Sequence, residues 1–265
     1  MMYNLNFISE EDLTNHVQKT IKKYGDNLNS YNLKKFNKNI VDPIKLIFDK
    51  NIYNTTWEGI IESEIFRQRD KSNNNAIGYF HQNIFSYFDN CIVPKEGWDV
   101  IFKNKKGINI SGNIVDTVYV EMKNKHNTMN SASSAKTFIK MQNQILEDDN
   151  CATLLVEAIA KKTQNIKWET TIDKKRVGHK LIRRVSIDKF YEIVTGEATA
   201  FYDLCLILPT IITNVLANSQ EIKVPEDSVL KELNLLSKEK DISIVLAIYF
   251  LGFSTYNGFN DKNAE

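Results

Sequence analysis

Glu121 and Lys123 stand two residues apart in an apolar stretch, VYVEMK, that begins at Val118. Alternate residues of a β-strand share a face, so the carboxylate and the ammonium point one way while the Val and Met side chains point the other. A solvated edge strand would also accept Glu and Lys, but this stretch is too apolar for one. The pair is therefore a candidate for chemistry on a bound cation or phosphate.

A second carboxylate comes from the preceding segment. Asp99 begins a predicted strand, Trp98–Phe102, and the polar run Lys103–Gly107 (KNKKG) is predicted to be the turn after it. If this strand pairs with the one carrying Glu121, two carboxylates approach each other and repel unless a cation lies between them. Mg²⁺ binds one or two carboxylates and leaves positions for water and phosphate oxygens. We therefore predict Asp99 and Glu121 as metal ligands, with Lys123 orienting an attacking water. Asp116 is the rival acid, but it shares its face with Val118 and Val120.

Polar residues that favour nucleic acid follow the strand directly. Lys125, His126, Asn127 and Thr128 are typical donors to phosphates and base edges. Ser133 and Ser134 precede a predicted helix whose N-terminus would attract phosphate, although ordinary capping uses the same residues. Lys136 and Lys140 lie one turn apart on that helix and are predicted to follow the DNA backbone.

The segment from Lys161 to Lys189 is strongly basic. It holds ten basic and three acidic residues, a local balance of +7, while the net charge of the chain is +1. Such a field attracts anions, although a solvated basic surface is the simpler interpretation. Arg183 and Arg184 are predicted to contact DNA, as readers of guanine or as phosphate ligands.

One further acid is predicted to lie near the metal ligands. Glu157 lies in an otherwise apolar predicted strand. It is either a buried acid paired with a base such as Lys161 or a neighbour of the active site.

The pattern of elements predicts a mixed α/β fold, with a central mixed sheet flanked by helices and extra helices at both ends. The predicted helices are Glu10–Tyr24, Pro43–Asp49, Trp57–Arg69, Ala76–Phe88, Ala135–Leu146, Ile187–Val194, Ala200–Leu216 and Ser228–Phe253; the further predicted strands are Ile108–Ile110, Ile114–Met122 and Thr153–Ala160. We expect one domain over residues 1–265, with a helical part at 1–75, a catalytic core at 76–196 and a helical part at 197–265.

Composition narrows the class of protein. The 265 residues and 42% hydrophobic content suffice for a sizeable core. Cys91, Cys151 and Cys205 are isolated and odd in number, which argues against a zinc ribbon or a disulfide framework. The longest apolar stretch, Ile244–Phe253, is shorter than a membrane span. We expect a cytoplasmic protein without a membrane segment.

Several longer strings resemble one family. IGYFHQNIF (Ile77–Phe85), VEMKNKHNTMNSASSAKTFIKMQ (Val120–Gln142), VEAIAKKTQNIKWE (Val156–Glu169) and IRRVSIDKFYEIVTG (Ile182–Gly196) resemble the Eco47II family of type II restriction endonucleases. Asp99 followed by Glu121-Met122-Lys123 resembles the wider PD-(D/E)XK nuclease superfamily. The resemblance covers about half the chain, and it departs from the superfamily pattern at Trp98, where proline would precede the acid.

The resemblance implies a Mg²⁺-dependent homodimer that cuts both strands of double-stranded DNA at a short palindrome, GGNCC or GGWCC, and leaves 5′-phosphate and 3′-hydroxyl ends. Asp99 and Glu121 would be the metal ligands and Lys123 the catalytic lysine. In the superfamily a Gln or an acid from a preceding helix often lies near the metal, which implies that role for Gln82 on the predicted helix Ala76–Phe88; a plain polar helix position is the alternative. A restriction enzyme also implies a cognate DNA methyltransferase. The apolar Ile242–Phe253 would be a dimerisation element or, more simply, a core helix.

Two other functions fit the same residues. A repair or junction-resolving nuclease would share the core but would cut branched DNA regardless of short sequence. A non-catalytic DNA-binding protein would bind without cutting. Metal-dependent cleavage at discrete sites separates the three.

Overall fold

The computed structural model describes residues 3–218 and 226–253. Within them the chain forms two compact units, one of residues 3–21 and 76–218 and the other of residues 22–75 and 226–253. The prediction of a single nuclease domain remains a prediction.

The elements follow in chain order. The helices are α1 (Glu10–Asn27), α2 (Leu33–Asn37), α3 (Pro43–Ile52), α4 (Trp57–Asn83), α5 (Ser131–Glu147), α6 (Ile187–Thr195), α7 (Ala200–Ala217), α8 (Val229–Glu239) and α9 (Ile244–Phe253), with a 3₁₀ turn at Ile84–Tyr87. The strands are β1 (Cys91–Ile92), β2 (Val100–Ile110), β3 (Asn113–Lys125), β4 (Cys151–Ile159), β5 (Asn165–Ile172) and β6 (Lys175–Ser186).

The strands form one mixed sheet in the order β1-β2-β3-β4-β6-β5. β3, β4 and β6 are parallel neighbours, whereas β1, β2 and β5 join the sheet by antiparallel pairing. Helix α5 connects β3 to β4, since parallel neighbours need a crossover. The predicted mixed α/β fold is confirmed.

The sheet is covered on both faces. On one face Val118, Val120 and Leu154 join a large core that includes Phe190 of α6 and Leu204 of α7. On the other face a smaller cluster packs α5 onto the sheet, through Phe138, Met141, Leu155, Trp168 and Ile182. This second face carries Glu121 and Lys123, so α5 lies beside the candidate site.

The predicted turn at Lys103–Gly107 is wrong. These residues continue β2, with a shift in pairing register between Lys103 and Ile108. The chain reverses at Ser111 and Gly112, whose φ angles are 51° and 85°. Positive φ at both central residues is typical of a type I′ turn, one of the common two-residue hairpin turns. Because Ser111 and Gly112 form the turn, Lys103–Gly107 can continue the strand.

The basic segment also has structure that periodicity did not predict. Its residues form the β5–β6 hairpin, which turns at Asp173 and Lys174 with φ angles of 49° and 65°. Exposed Lys and Arg side chains near its turn mask the alternation expected of a strand, because that end of β6 extends beyond its pairing with β4.

Two helix predictions need correction at their bounds. Trp57–Arg69 and Ala76–Phe88 belong largely to one helix, α4, because the polar residues between them are compatible with a helix. The predicted helix Ser228–Phe253 is two helices, α8 and α9, which are separated at Asp241, whose φ of 47° ends the first.

The second unit has its own core. Phe36, Leu46 and Ile61 pack with Leu233 of α8 and Ile248 of α9. The apolar residues of α9 therefore pack in this core, as the simpler interpretation of Ile242–Phe253 expected.

Among the described residues, α7 is the one helix whose length and composition would allow it to cross a membrane. A core helix passes the same test. Leu204, Ile207 and Ile211 of α7 are buried in the core of the first unit.

Candidate active site

Strand pairing places Asp99 opposite Glu121. Val100 pairs with Val120, and the amide of Asp99 donates to the carbonyl of Val120 at 3.0 Å. Continuing this antiparallel register by one residue sets Asp99 across from Glu121, so both side chains lie on the same face. The approach predicted from sequence is therefore built by the β2–β3 pairing.

Asp99 is held at the start of β2 by hydrogen bonds on both its side chain and its backbone. The amide of Met122 donates to Oδ2 at 2.7 Å, and Nε2 of Gln82 donates to the Asp99 carbonyl at 3.3 Å. Burial raises the pKa of this carboxyl and the nearby Glu121 charge raises it further, while the Met122 hydrogen bond and two lysines oppose the shift. Gln82 thus contacts the backbone of the candidate ligand, and its role behind a metal stays a prediction.

Glu121 is held between two ammonium groups. Nζ of Lys123 lies 2.6 Å from Oε1, and Nζ of Lys140 lies 2.8 Å from Oε2. Burial raises the pKa of Glu121, but the hydrogen bonds from both lysines outweigh it, so the pKa is lowered. The two ammonium groups favour the charged carboxylate, although the Glu121 side chain is only 17% exposed.

The contact between Lys140 and Glu121 was not predicted from the sequence. The Lys140 ammonium donates to the Gly97 carbonyl at 2.6 Å and lies 4.2 Å from the centre of the Trp98 ring. Nε1 of Trp98 in turn donates to Gln144 of α5 at 3.0 Å. No local pattern signals a contact between Glu121 and a lysine on the next helix; only the packing of α5 on the sheet creates it.

The donor set fits a hard divalent cation. Two carboxylates lie on one face, and the charge of Glu121 raises the pKa of Asp99. Mg²⁺ is commonly held by one or two carboxylates, with water completing its shell. The described residues hold no group of three or more His, Cys, Asp or Glu side chains suited to a metal. Both candidate donors are hard carboxylate oxygens, which suit a partly hydrated Mg²⁺.

Glu157 lies beside the site in a buried ion pair. It pairs in register with Lys123, is 1% exposed and is bound by the Arg184 guanidinium. Arg184 also donates to the His126 carbonyl at 2.7 Å, and Nε2 of Gln164 reaches Glu157 at 3.4 Å. Arg184 is thus the base paired with Glu157, a role that the sequence analysis had considered for Lys161.

Arg183 also has protein partners. Its Nε donates to Oδ1 of Asn165 at 2.9 Å, and its Nη2 donates to Oγ of Ser111 at 2.7 Å. A DNA contact by Arg183 or Arg184 stays a prediction.

The remaining predicted DNA contacts lie on the segment between β3 and α5 and on the first turns of that helix. Lys125, Asn127, Thr128 and Lys136 are exposed, and His126 is partly buried. Asn130 caps α5 by accepting from the Ser133 amide at 2.9 Å, and the Ser134 hydroxyl lies 2.9 Å from that of Thr170. Both serines are part of the helix start, and their contact with phosphate stays a prediction.

This arrangement is suited to hydrolysis of a phosphodiester. Asp99 and Glu121 would supply hard oxygen ligands to a bound cation, and the Lys123 ammonium lies beside them. The buried Glu157–Arg184 pair supports the end of β3 through the His126 carbonyl. Charge that develops on phosphorus-bound oxygens would meet fixed cations.

Comparison with known proteins agrees with this chemistry. Residues 5–217 match the sequence profile of the Eco47II restriction endonuclease family. Over 213 residues, the chain is 30% identical to the type II restriction enzyme Sau96I of Staphylococcus aureus, covering 77% of this chain and 78% of that protein. It is 28% identical over 251 residues to the type II restriction enzyme Eco47II of Escherichia coli, covering 87% of this chain and 98% of that enzyme. The resemblance predicted from the quoted strings is confirmed.

Proposed function

Because the chain belongs to the Eco47II restriction endonuclease family, we propose that it is a type II site-specific deoxyribonuclease that makes Mg²⁺-dependent double-strand cuts in DNA. The observation that carries the proposal is the register that sets Asp99 opposite Glu121, with Lys123 bound to Glu121. The target is a short palindrome of the form GGNCC or GGWCC, and the products carry 5′-phosphate and 3′-hydroxyl ends.

Each site residue has a role in this proposal. Asp99 and Glu121 hold Mg²⁺, which supplies Lewis-acid stabilisation of the negative charge that develops during hydrolysis. The Lys123 ammonium orients the attacking water and stabilises charge on the scissile phosphate. Gln82 fixes the backbone of Asp99, and Met122 fixes its carboxylate.

Substrate binding involves the polar surface next to the site. Lys125, His126, Asn127 and Thr128 leave the catalytic strand and contact DNA, together with Ser133, Ser134 and Lys136 at the start of α5. Positive charge at these positions supplies the salt-dependent part of affinity, while base-edge donors supply sequence preference.

The proposal has consequences for partners. Cutting both strands of a palindrome requires two equivalent sites, so the enzyme acts as a two-fold homodimer. Its cell needs a cognate DNA methyltransferase that modifies the same sequence. The enzyme would cut unmodified DNA that enters the cell, so the proposal includes a cytoplasmic location.

Digestion of unmethylated phage DNA tests the proposal. We expect discrete fragments with Mg²⁺ and none with EDTA, and sequencing of the ends gives the target, the central base and the overhang. Glu121→Gln removes the charge of a candidate ligand and abolishes the fragments. Glu169→Gln is the matched control, since Glu169 is likewise held by two cations, Lys167 and Arg176, but lies on the exposed hairpin.

Two outcomes contradict the proposal. Cutting of branched DNA without preference for a short sequence indicates a junction-resolving nuclease. DNA binding by folded protein without cleavage in Mg²⁺ indicates a binding protein.

A further inference from the structure

Both oxygens of the Glu121 carboxylate are occupied by lysines, and the two lysines differ in origin. Lys123 belongs to the same strand, whereas Lys140 reaches Oε2 from α5 at 2.8 Å. Oε2 faces the helix that covers this side of the sheet. A cation that takes both Asp99 and Glu121 as ligands must compete with these ammonium groups for the same lone pairs.

Lys140 has a second set of contacts that does not depend on Glu121. The Gly97 carbonyl accepts from its ammonium at 2.6 Å, and the Trp98 ring lies under it at 4.2 Å. A carbonyl and an aromatic face both stabilise a cation. The ammonium can therefore lose Glu121 without losing every favourable partner.

The same contacts connect Lys140 to the other candidate ligand. Gly97 and Trp98 immediately precede Asp99, and Trp98 is fixed to α5 through Gln144. Lys140 thus binds the Glu121 carboxylate directly. It also binds the backbone of the segment that leads into Asp99, through the Gly97 carbonyl.

We propose that Lys140 is a positioning residue that holds the place of the divalent cation on Glu121. Its ammonium neutralises the carboxylate in the metal-free protein, limits repulsion between Glu121 and Asp99, and yields Oε2 when the cation binds. This inference rests on the proposed function, because it takes Asp99 and Glu121 as the metal ligands.

Binding of Mn²⁺ to the full-length protein without DNA tests the inference, with free Mn²⁺ measured by electron paramagnetic resonance. Lys140→Met removes the competing charge, and we expect Mn²⁺ to bind about fivefold more tightly, the equivalent of one partly screened ion pair. Lys140→Arg keeps the charge and should leave affinity within about twofold of the natural protein. Lys238→Met, an exposed lysine on α8, is the control for a general loss of positive charge.

Glu121→Gln separates the possible failures. If it abolishes Mn²⁺ binding while Lys140→Met leaves affinity unchanged or weaker, the role of Lys140 is overturned and the metal site stands. If Mn²⁺ binding survives Glu121→Gln, the metal assignment itself is overturned and the inference falls with it. Equal tightening in Lys238→Met and Lys140→Met also overturns the inference, since net charge alone then accounts for it.

Discussion

At the scale of single residues, Asp99 and Glu121 face each other on paired strands, yet their pKa values shift in opposite directions. Burial raises the pKa of Asp99, and Glu121 adds to that rise. Burial also acts on Glu121, but hydrogen bonds from Lys123 and Lys140 lower its pKa overall. In the metal-free protein the fold therefore favours the ionised form of Glu121 and disfavours the ionised form of Asp99. Active sites commonly carry such a cost, which a bound cation relieves.

The first prediction concerns that cost. Because the folded state raises the pKa of Asp99 above its usual value, ionised Asp99 disfavours folding at pH values above that pKa. Asp99→Asn keeps an acceptor for the Met122 amide and should increase the free energy of unfolding at pH 7, by an amount that solvent screening keeps small. The gain disappears below the ordinary pKa of aspartate, where the carboxyl is protonated in both states. Cleavage activity should be lost.

Urea unfolding of metal-free protein at pH 7 and at acidic pH measures this effect. Asp188→Asn is the opposite case: burial raises the pKa of Asp188, but hydrogen bonds from Ser186 and Thr163 lower it overall. That substitution should destabilise the protein at neutral pH, and its effect should fade as the pH falls through the lowered pKa. A destabilised Asp99→Asn at pH 7 would contradict the prediction.

At the scale of elements, β6 joins the candidate site to the basic hairpin. Arg184 lies where β6 runs beside β4 and binds Glu157, which is almost fully buried. Arg176 lies near the tip of the same strand and binds Glu169 in water, with its side chain 78% exposed. Two arginine–carboxylate pairs on one strand therefore differ chiefly in burial.

The second prediction compares these pairs. Arg184→Met leaves the buried Glu157 charge without its partner and should lower the free energy of unfolding by about 2–4 kcal/mol. Arg176→Met should leave it nearly unchanged, because an ion pair in water contributes little. Urea denaturation of both variants measures the difference. Similar effects from the two substitutions would contradict the importance of burial, and Glu157→Gln combined with Arg184→Met should recover part of the loss.

At the scale of the whole molecule, each chain supplies one set of Asp99, Glu121 and Lys123. A double-strand cut needs two such sets that address opposite strands, and an isologous pair of chains provides them for a palindrome. The compact unit of residues 3–21 and 76–218 contains the whole set.

The third prediction tests the proposed dimer, which would carry two sites. Co-expression of the natural chain with a differently tagged Lys123→Met chain allows purification of mixed dimers by both tags. On a supercoiled plasmid with one target, mixed dimers should produce nicked circles, while natural dimers produce linear DNA. Gel electrophoresis distinguishes the products. Linear DNA formed by mixed dimers at the rate of natural dimers would contradict the assignment of one strand to each site.

The sequence by itself determined the local chemistry. Period-two alternation put Glu121 and Lys123 on one face of β3, and the apolar runs predicted β4 and the start of β2 where the structure has them. These features depend on neighbouring residues, so local patterns suffice to predict them. The β5–β6 hairpin was not predicted, because its exposed Lys and Arg residues show no apolar alternation.

Tertiary structure alone decided which distant residues meet. The register of β2 on β3 set Asp99 opposite Glu121, and the packing of α5 brought Lys140 to the same carboxylate. The parallel pairing of β4 with β6 brings Arg184 to Glu157, whose basic partner the sequence did not determine. Such contacts depend on strand order and helix packing, which minimise exposed apolar surface over the whole core. No pattern within a few residues of Lys140 or Arg184 encodes them.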